Sequence, residues 1–157
     1  MYDRYQRKIE YVRISLTDRC NLRCRYCMPE DGVEKLRHED ILRFDEIVRI
    51  VRALASLGVR KVRLTGGEPL VRRNVVELVR EIRSVPGSES VALTTNGGLL
   101  ADMAAELVRA GLTGVNISLD TLKAASFTEL TRRPFFVRVE DVIEAIAATG
   151  LRDVKFN

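Results

Sequence analysis

Five short stretches of this chain alternate between apolar and polar side chains, and that alternation constrains the fold most. They cover residues 11–17, 60–65, 90–95, 114–119 and 153–157. Successive side chains on a strand point to opposite faces. One face reads Val12, Ile14, Leu16; Val62, Leu64; Val91, Leu93; Val115, Ile117, Leu119; Val154, Phe156. The other reads Arg13, Ser15, Thr17; Arg63, Thr65; Ala92, Thr94; Asn116, Ser118; Lys155, Asn157. Parallel strands covered on both sides normally read as near-continuous apolar runs. A helix layer over the second face would bury Arg13, Arg63 and Lys155 unpaired, at about several kcal/mol each.

Helical periodicity fills the intervals between the strands. Phe44, Ile47, Val48, Val51, Leu54 and Ala55 share one face of a helix over residues 44–57. Further helices are expected over residues 74–84, with Asn74 as N-cap, and over residues 100–110. A short helix over residues 123–131 breaks around Pro134, and residues 138–149 form the last. Strand and helix in repeated succession mean parallel strands joined by crossover helices. The expected fold class is therefore α/β, an open partial (βα) barrel of parallel strands rather than a doubly wound sheet. Residues 1–10 are expected to form a loose N-terminal arm and residues 11–157 the barrel. Each strand ends in a polar or glycine-rich motif, so the motifs gather at the carboxyl edge of the sheet, where such folds keep their sites.

Composition excludes several functions. The best apolar run is interrupted by Arg49 and Arg52, too early for a membrane span. The start has no apolar signal region. The net charge is +4, without the lysine-arginine block and interleaved aromatics of a nucleic-acid surface. Most of the arginines are expected on solvated helix faces. A cytoplasmic setting is expected, where thiols stay reduced.

All three cysteines lie in Cys20-Asn21-Leu22-Arg23-Cys24-Arg25-Tyr26-Cys27. Thiolates so closely spaced can serve one soft metal centre. Structural zinc wants four protein ligands, and an ordinary four-iron cluster takes four cysteines. Three leave one iron open to a small molecule. Two other readings compete: a Cys3His zinc site using His38, the only histidine, or three inert buried thiols. The polar neighbours of the cysteines argue against burial. Gly66-Gly67-Glu68-Pro69 follows the second strand, where two glycines allow the backbone close to a ligand, or simply make a turn. Ser118 closes the fourth strand with its hydroxyl on the polar face, as a ligand contact or as part of a turn.

The cysteine octet resembles the signature of the radical S-adenosylmethionine (SAM) enzymes. The resemblance implies a [4Fe–4S] cluster on Cys20, Cys24 and Cys27, with SAM chelating the remaining iron and the aromatic Tyr26 at its usual place. It also implies that Gly67, with Gly66 and Glu68, meets the methionyl amino group of SAM.

A wider set of motifs resembles the GTP 3′,8-cyclase family of molybdenum-cofactor biosynthesis. They are Thr17-Asp18-Arg19 before the octet, Met28-Pro29 after it, Arg63-Leu64-Thr65-Gly66-Gly67-Glu68-Pro69-Leu70 with Arg72-Arg73, Leu93-Thr94-Thr95-Asn96-Gly97 and Asn116-Ile117-Ser118-Leu119-Asp120. This resemblance implies a lyase that converts GTP to 3′,8-cyclo-7,8-dihydro-GTP. It implies that Arg13, Arg63, Thr94 and Lys155 bind GTP, and that Tyr26, Gly67 and Ser118 bind SAM. An electron donor and the next enzyme of the pathway are the implied partners. Arg13, Arg63 and Lys155 crowd one face, expected as a partly dry lumen, and like charges there need an anion to offset them.

The family carries a C-terminal region with three further cysteines for a second cluster. This chain has none, so it is expected to be truncated after the fifth strand, with a bare edge that invites association. Another radical SAM enzyme, such as a peptide modifier, or a non-enzymatic iron-sulfur module would keep the cysteines but not need the three cations together. The cysteine count predicts that anaerobic reconstitution loads roughly four irons per chain. Cys24→Ala abolishes loading, read by iron analysis and iron-sulfur absorption; stoichiometric zinc without that absorption would refute the reading.

Overall fold

The computed structural model describes residues 2–134 and 137–157. Met1 of the expected arm and Phe135 and Phe136 of the expected barrel lie outside the described residues. Five strands, β1 (Tyr11–Ser15), β2 (Lys61–Thr65), β3 (Ser90–Thr95), β4 (Gly114–Ile117) and β5 (Asp153–Phe156), form one parallel sheet in the order β1-β2-β3-β4-β5. The helices are α1 (Phe44–Ser56), α2 (Val75–Ser84), α3 (Leu100–Arg109), α4 (Ala124–Thr131) and α5 (Val139–Ala147). Parallel crossovers are right-handed, and consecutive strand order makes every crossover step the same way. All crossover helices then share one face, and the opposite face stays open.

Burial follows the alternation. Leu16, Val62, Leu64, Val91, Leu93, Val115 and Ile117 are buried on the helix side. They meet Ile47, Val48 and Val51 of α1, Leu78 and Ile82 of α2, and Leu107 of α3 in one core cluster. On the other side Arg13, Ser15, Ser118 and Lys155 are exposed, and Arg63, Thr65, Thr94 and Asn116 are partly so. Ala92 is the exception, a small side chain buried beside its register partner Arg63. Phe156 is exposed because β5 is the edge strand, with a sheet neighbour on one side only.

Local chemistry accounts for the helix limits. The Glu46 carboxylate accepts the Arg43 N–H at 2.7 Å, and Asp45 and Glu46 oppose the positive end of the α1 dipole. α2 stops before Pro86, whose ring pushes Val85 into extended backbone.

Four expectations need correction. Asn74 stands at the expected N-cap of α2 but makes no side-chain bond there, its backbone being left-handed, φ 61°, a conformation asparagine tolerates better than most residues. The first strand ends at Ser15, although Leu16 N–H still reaches Thr65 O at 2.8 Å, and the chain bends at Asp18. Thr17, packed against Gly66 and Gly67, is 7% exposed rather than on the open face. The fourth strand is shorter than residues 114–119, although Ser118 N–H still reaches Thr95 O at 2.9 Å and Leu119 N–H reaches Asn157 O at 2.8 Å. The described part of the arm is not loose. Asp3 Oδ1 accepts the N–H groups of Tyr5 and Arg7 at 2.8 and 2.9 Å, and Tyr2 bridges to Lys8.

Among the described residues no helix is long and apolar enough to cross a membrane. Leu64 is wholly buried in β2, between two neighbouring strands and under the helices. Leu64→Ala is expected to cost about 2–5 kcal/mol of stability in urea unfolding, the range for a core leucine truncation. Arg13→Ala, on the open face, is expected to stay within about 0.5 kcal/mol of the wild type.

Candidate active site

The cysteine loop begins where β1 passes over the end of β2. Leu16 N–H donates to Thr65 O at 2.8 Å, Gly67 N–H to Thr17 O at 2.7 Å and Glu68 N–H to Arg19 O at 2.8 Å. The crossing leaves no room for side chains. A Cβ at Gly66, where φ is +148°, would lie 2.6 Å from Thr17 O, and one at Gly67 would lie 2.3 Å from Arg19 O. The two glycines are therefore demanded by a neighbouring stretch of backbone, a reason the sequence does not display.

Glu68 is 1% exposed. Its Oε1 accepts Leu70 N–H at 3.0 Å and the Thr95 hydroxyl at 2.8 Å, and its Oε2 accepts Asn96 N–H at 2.8 Å. Burial raises its pKa, while the donors from Asn96, Leu70 and Thr95 pull it back down by stabilising the ionised form. This carboxylate, expected as a SAM contact, is buried and ties the end of β2 to the end of β3.

Cys20 and Cys24 are half-buried and Cys27 is exposed; all three thiols are free. Burial raises the pKa of Cys20 and Cys24; on Cys20 the Leu22 N–H, 3.3 Å from Sγ, opposes it. A turn closes the end of the octet, with the N–H groups of Cys27 and Met28 donating to Cys24 O at 3.0 and 2.9 Å. Arginines hold the rest of the loop. Arg23 Nη1 reaches Cys20 O and Leu22 O at 2.8 and 2.7 Å. Arg132 Nη1 reaches Arg23 O and Met28 O, both at 3.1 Å, and Arg133 Nε reaches Asn21 O at 3.2 Å. Two backbone bonds of 2.9 Å, Arg23 N–H to Thr131 O and Arg25 N–H to Leu130 O, fix the loop to the end of α4. Arg23, Arg132 and Arg133 are thus frame members, not solvated surface charges.

The donor set fits a cluster in its chemistry: three free thiols, soft ligands, stand on one short loop. His38 is exposed and lines a groove with Arg19, Arg43 and Phe44, next to a depression of about 250 Å³ that Cys20 and Met28 line.

The remaining expected residues surround this loop and the open face. Tyr26 is 66% exposed, yet its hydroxyl donates to Asp120 Oδ2 at 2.8 Å, joining the loop to the chain beyond β4. Burial of the hydroxyl end and the Asp120 carboxylate push its pKa up. Arg13 faces Arg63 across the β1–β2 register, and Thr94, Asn116 and Lys155 form the next row toward the carboxyl edge. Arg63 Nη1 donates to Leu93 O at 3.3 Å. Among the described residues none of the three cations has a carboxylate partner. The face is open to solvent rather than partly dry, since Arg13 and Lys155 are exposed.

Sequence reasoning missed Asn21 and Asn96 as site residues. Asn96 Nδ2 donates to Asn21 Oδ1 at 2.8 Å and lies 3.8 Å from Cys20 Sγ. The strand-end position of Asn96 was the available signal. Glu68→Gln places an amide NH₂ among three donors and is expected to cost about 1–3 kcal/mol in thermal or urea unfolding. Wild-type stability in that variant would show that the carboxylate is not the tie described.

The model of the Radical SAM superfamily matches residues 14–157. The chain is 55% identical over all 157 residues to the GTP 3′,8-cyclase of Moorella thermoacetica, covering 49% of that protein. It is 54% identical to the GTP 3′,8-cyclase of Pelotomaculum thermopropionicum, again over its whole length and over 48% of the relative. The chain thus spans about half the length of these relatives. The structure of Streptococcus suis SuiB bound to precursor peptide SuiA shares the fold at a TM-score of 0.71 and 21% identity, over 95% of this chain and 32% of that one. A family match that starts inside β1 and runs through the cysteine loop to the last residue is decisive. The chain belongs to the Radical SAM superfamily, whose members use a [4Fe–4S] cluster and S-adenosylmethionine.

Proposed function

We propose that this chain is the radical-generating part of a GTP 3′,8-cyclase, converting GTP to 3′,8-cyclo-7,8-dihydro-GTP in molybdenum-cofactor biosynthesis. The observation that carries the reading is the open face. Arg13 and Arg63 on neighbouring strands and Lys155 on the edge strand β5 line that face with Thr94, and none of the three is ion-paired among the described residues, the Asp153 carboxylate on the same face lying over Gly114 instead. A triphosphate supplies the missing negative charge, and arginine's planar fork grips phosphate oxygens in pairs. The likeness to two cyclases over the whole chain supports the same choice.

In this reading Cys20, Cys24 and Cys27 hold the cluster. When bound, the cluster and SAM supply the one-electron chemistry that yields a 5′-deoxyadenosyl radical. The chain's own residues bind and aim. The backbone of Gly66 and Gly67, the ring of Tyr26 and the exposed hydroxyl of Ser118 hold SAM at the carboxyl edge. The cations hold the triphosphate on the sheet face, with the ribose 3′ hydrogen toward the loop. Glu68 acts by fixing the loop ends. Residues 11–157 are the barrel unit. An electron donor reduces the site, the next enzyme of the pathway takes the product, and the cytoplasm keeps the thiols reduced.

Arg63→Ala in the reconstituted protein is expected to weaken GTP binding by about 2 kcal/mol, the scale of a lost charge-assisted contact. Iron content and uncoupled SAM cleavage stay near wild type, because other residues hold SAM. Calorimetry with GTP and guanosine checks the assignment. Guanosine binds the wild type far more weakly, and the variant narrows the gap. Equal binding of the two by the wild type would remove the triphosphate site and with it the GTP reading.

A further inference from the structure

We propose that Asn96 is a positioning residue of the cluster site: its side-chain amide donates a hydrogen bond to Cys20 Sγ and thereby raises the reduction potential of the cluster. The inference rests on the reading that Cys20, Cys24 and Cys27 hold the cluster, and not on the choice of GTP as substrate.

The orientation of the Asn96 amide is determined by its neighbours. Gly98 N–H donates to Asn96 Oδ1 at 2.9 Å, so the oxygen is committed to that side. The nitrogen must then face Asn21 Oδ1, at 2.8 Å, and Cys20 Sγ, at 3.8 Å. An amide nitrogen carries two hydrogens, one for each acceptor. The backbone beneath it is equally fixed, since Asn96 N–H is taken by the buried Glu68 carboxylate at 2.8 Å. The donor is thus held on both its side-chain and main-chain atoms before any ligand arrives.

The position of Asn21 adds to the argument. Its Oδ1 lies 3.9 Å from Cys20 Sγ. Once Cys20 is a thiolate ligand, an uncompensated carbonyl oxygen there is an unfavourable neighbour. Asn96 Nδ2 occupies that oxygen and offers its second hydrogen to the sulfur. Leu22 N–H, 3.3 Å from the same sulfur, gives Cys20 a second donor. Reduction adds one electron and no proton to the cluster, so negative charge on the ligand sulfurs grows. Donors aimed at a ligand sulfur favour the more negative state and raise the potential.

The test reads the cluster directly. Wild type, Asn96→Leu and Thr95→Val are reconstituted anaerobically, assayed for iron and titrated potentiometrically with dithionite under EPR, without SAM. At the potential where wild type is half reduced, Asn96→Leu is expected to show about a fivefold lower ratio of reduced to oxidised cluster, the worth of one modest hydrogen bond. Thr95→Val loses its hydroxyl contact to Glu68 but not the donor to Cys20, so it melts earlier and keeps the wild-type potential. Pulsed EPR of the reduced wild type carrying ¹⁵N-asparagine is expected to show a nitrogen coupling that Asn96→Leu lacks. This arm decides the matter if Asn96→Leu loads no iron, because absence of the coupling in wild type overturns the proposal. A fully loaded Asn96→Leu with wild-type potential also overturns it, as does an equal shift in Thr95→Val. Failure of the wild type to take up iron would refute the cluster reading itself, and iron analysis separates that result from the others.

Discussion

One buried glutamate, through its carboxylate and its own N–H, joins three pieces of backbone around the cysteine loop. Glu68 closes the loop after β2 on itself through Leu70 N–H and reaches β3 through the Thr95 hydroxyl and Asn96 N–H. Its own N–H is given to Arg19 O, at the mouth of the cysteine loop. Taking a charge out of water is costly, and three donors with good geometry offset that cost. An aliphatic side chain would fill the space but leave two backbone N–H groups and a hydroxyl without acceptors. The registry of three loop ends, rather than net stability, is what this arrangement secures.

The open face follows from topology and charge together. Consecutive strand order commits every crossover to one side, so the other side of the sheet has no crossover helix to cover it. A cation there can stay hydrated, which is why Arg13 and Lys155 need no partner to be tolerated. Their electrostatic repulsion is weak in water and grows as a ligand displaces water, unless the ligand is anionic. On the reading proposed above, the same face that is inexpensive to leave empty favours an anionic ligand when filled.

Most of this architecture is legible in the residue pattern. Val62 and Leu64 against Arg63 and Thr65 state which side of β2 is covered, and Cys20, Cys24 and Cys27 stand out as a soft donor set. What escapes the pattern is decided by contacts between residues far apart in the chain. Gly66 and Gly67 read as room for a ligand, yet the main chain of Thr17 and Arg19 fills the space where their Cβ atoms would be. Glu68 reads as an exposed ligand group, since nothing local announces that Thr95 and Asn96 will surround it. Asn74 reads as a cap and stands at that position, but its left-handed backbone leaves the side-chain bond unmade. Nothing in the sequence marks Arg132 and Arg133 for the loop, because their acceptors are carbonyls, which carry no sequence signal.

Those carbonyls explain why a polar, partly exposed loop keeps its shape. Residues 20–28 contain little apolar surface, and Leu22 alone among them is buried hydrophobic. A loop of this kind cannot be held by burial and must be held by directed bonds. Arg132 adopts a left-handed backbone, φ 51°, which costs roughly 1–3 kcal/mol for a residue with a Cβ. That conformation accompanies a guanidinium bonded to both Arg23 O and Met28 O, spanning the loop beyond Cys24. The local strain is thus set against two charge-assisted bonds, each stronger than a neutral one. On the reading proposed above, these thiols become thiolates on binding iron, and the guanidiniums of Arg23, Arg132 and Arg133 that already hold the loop carbonyls then offset part of the added negative charge.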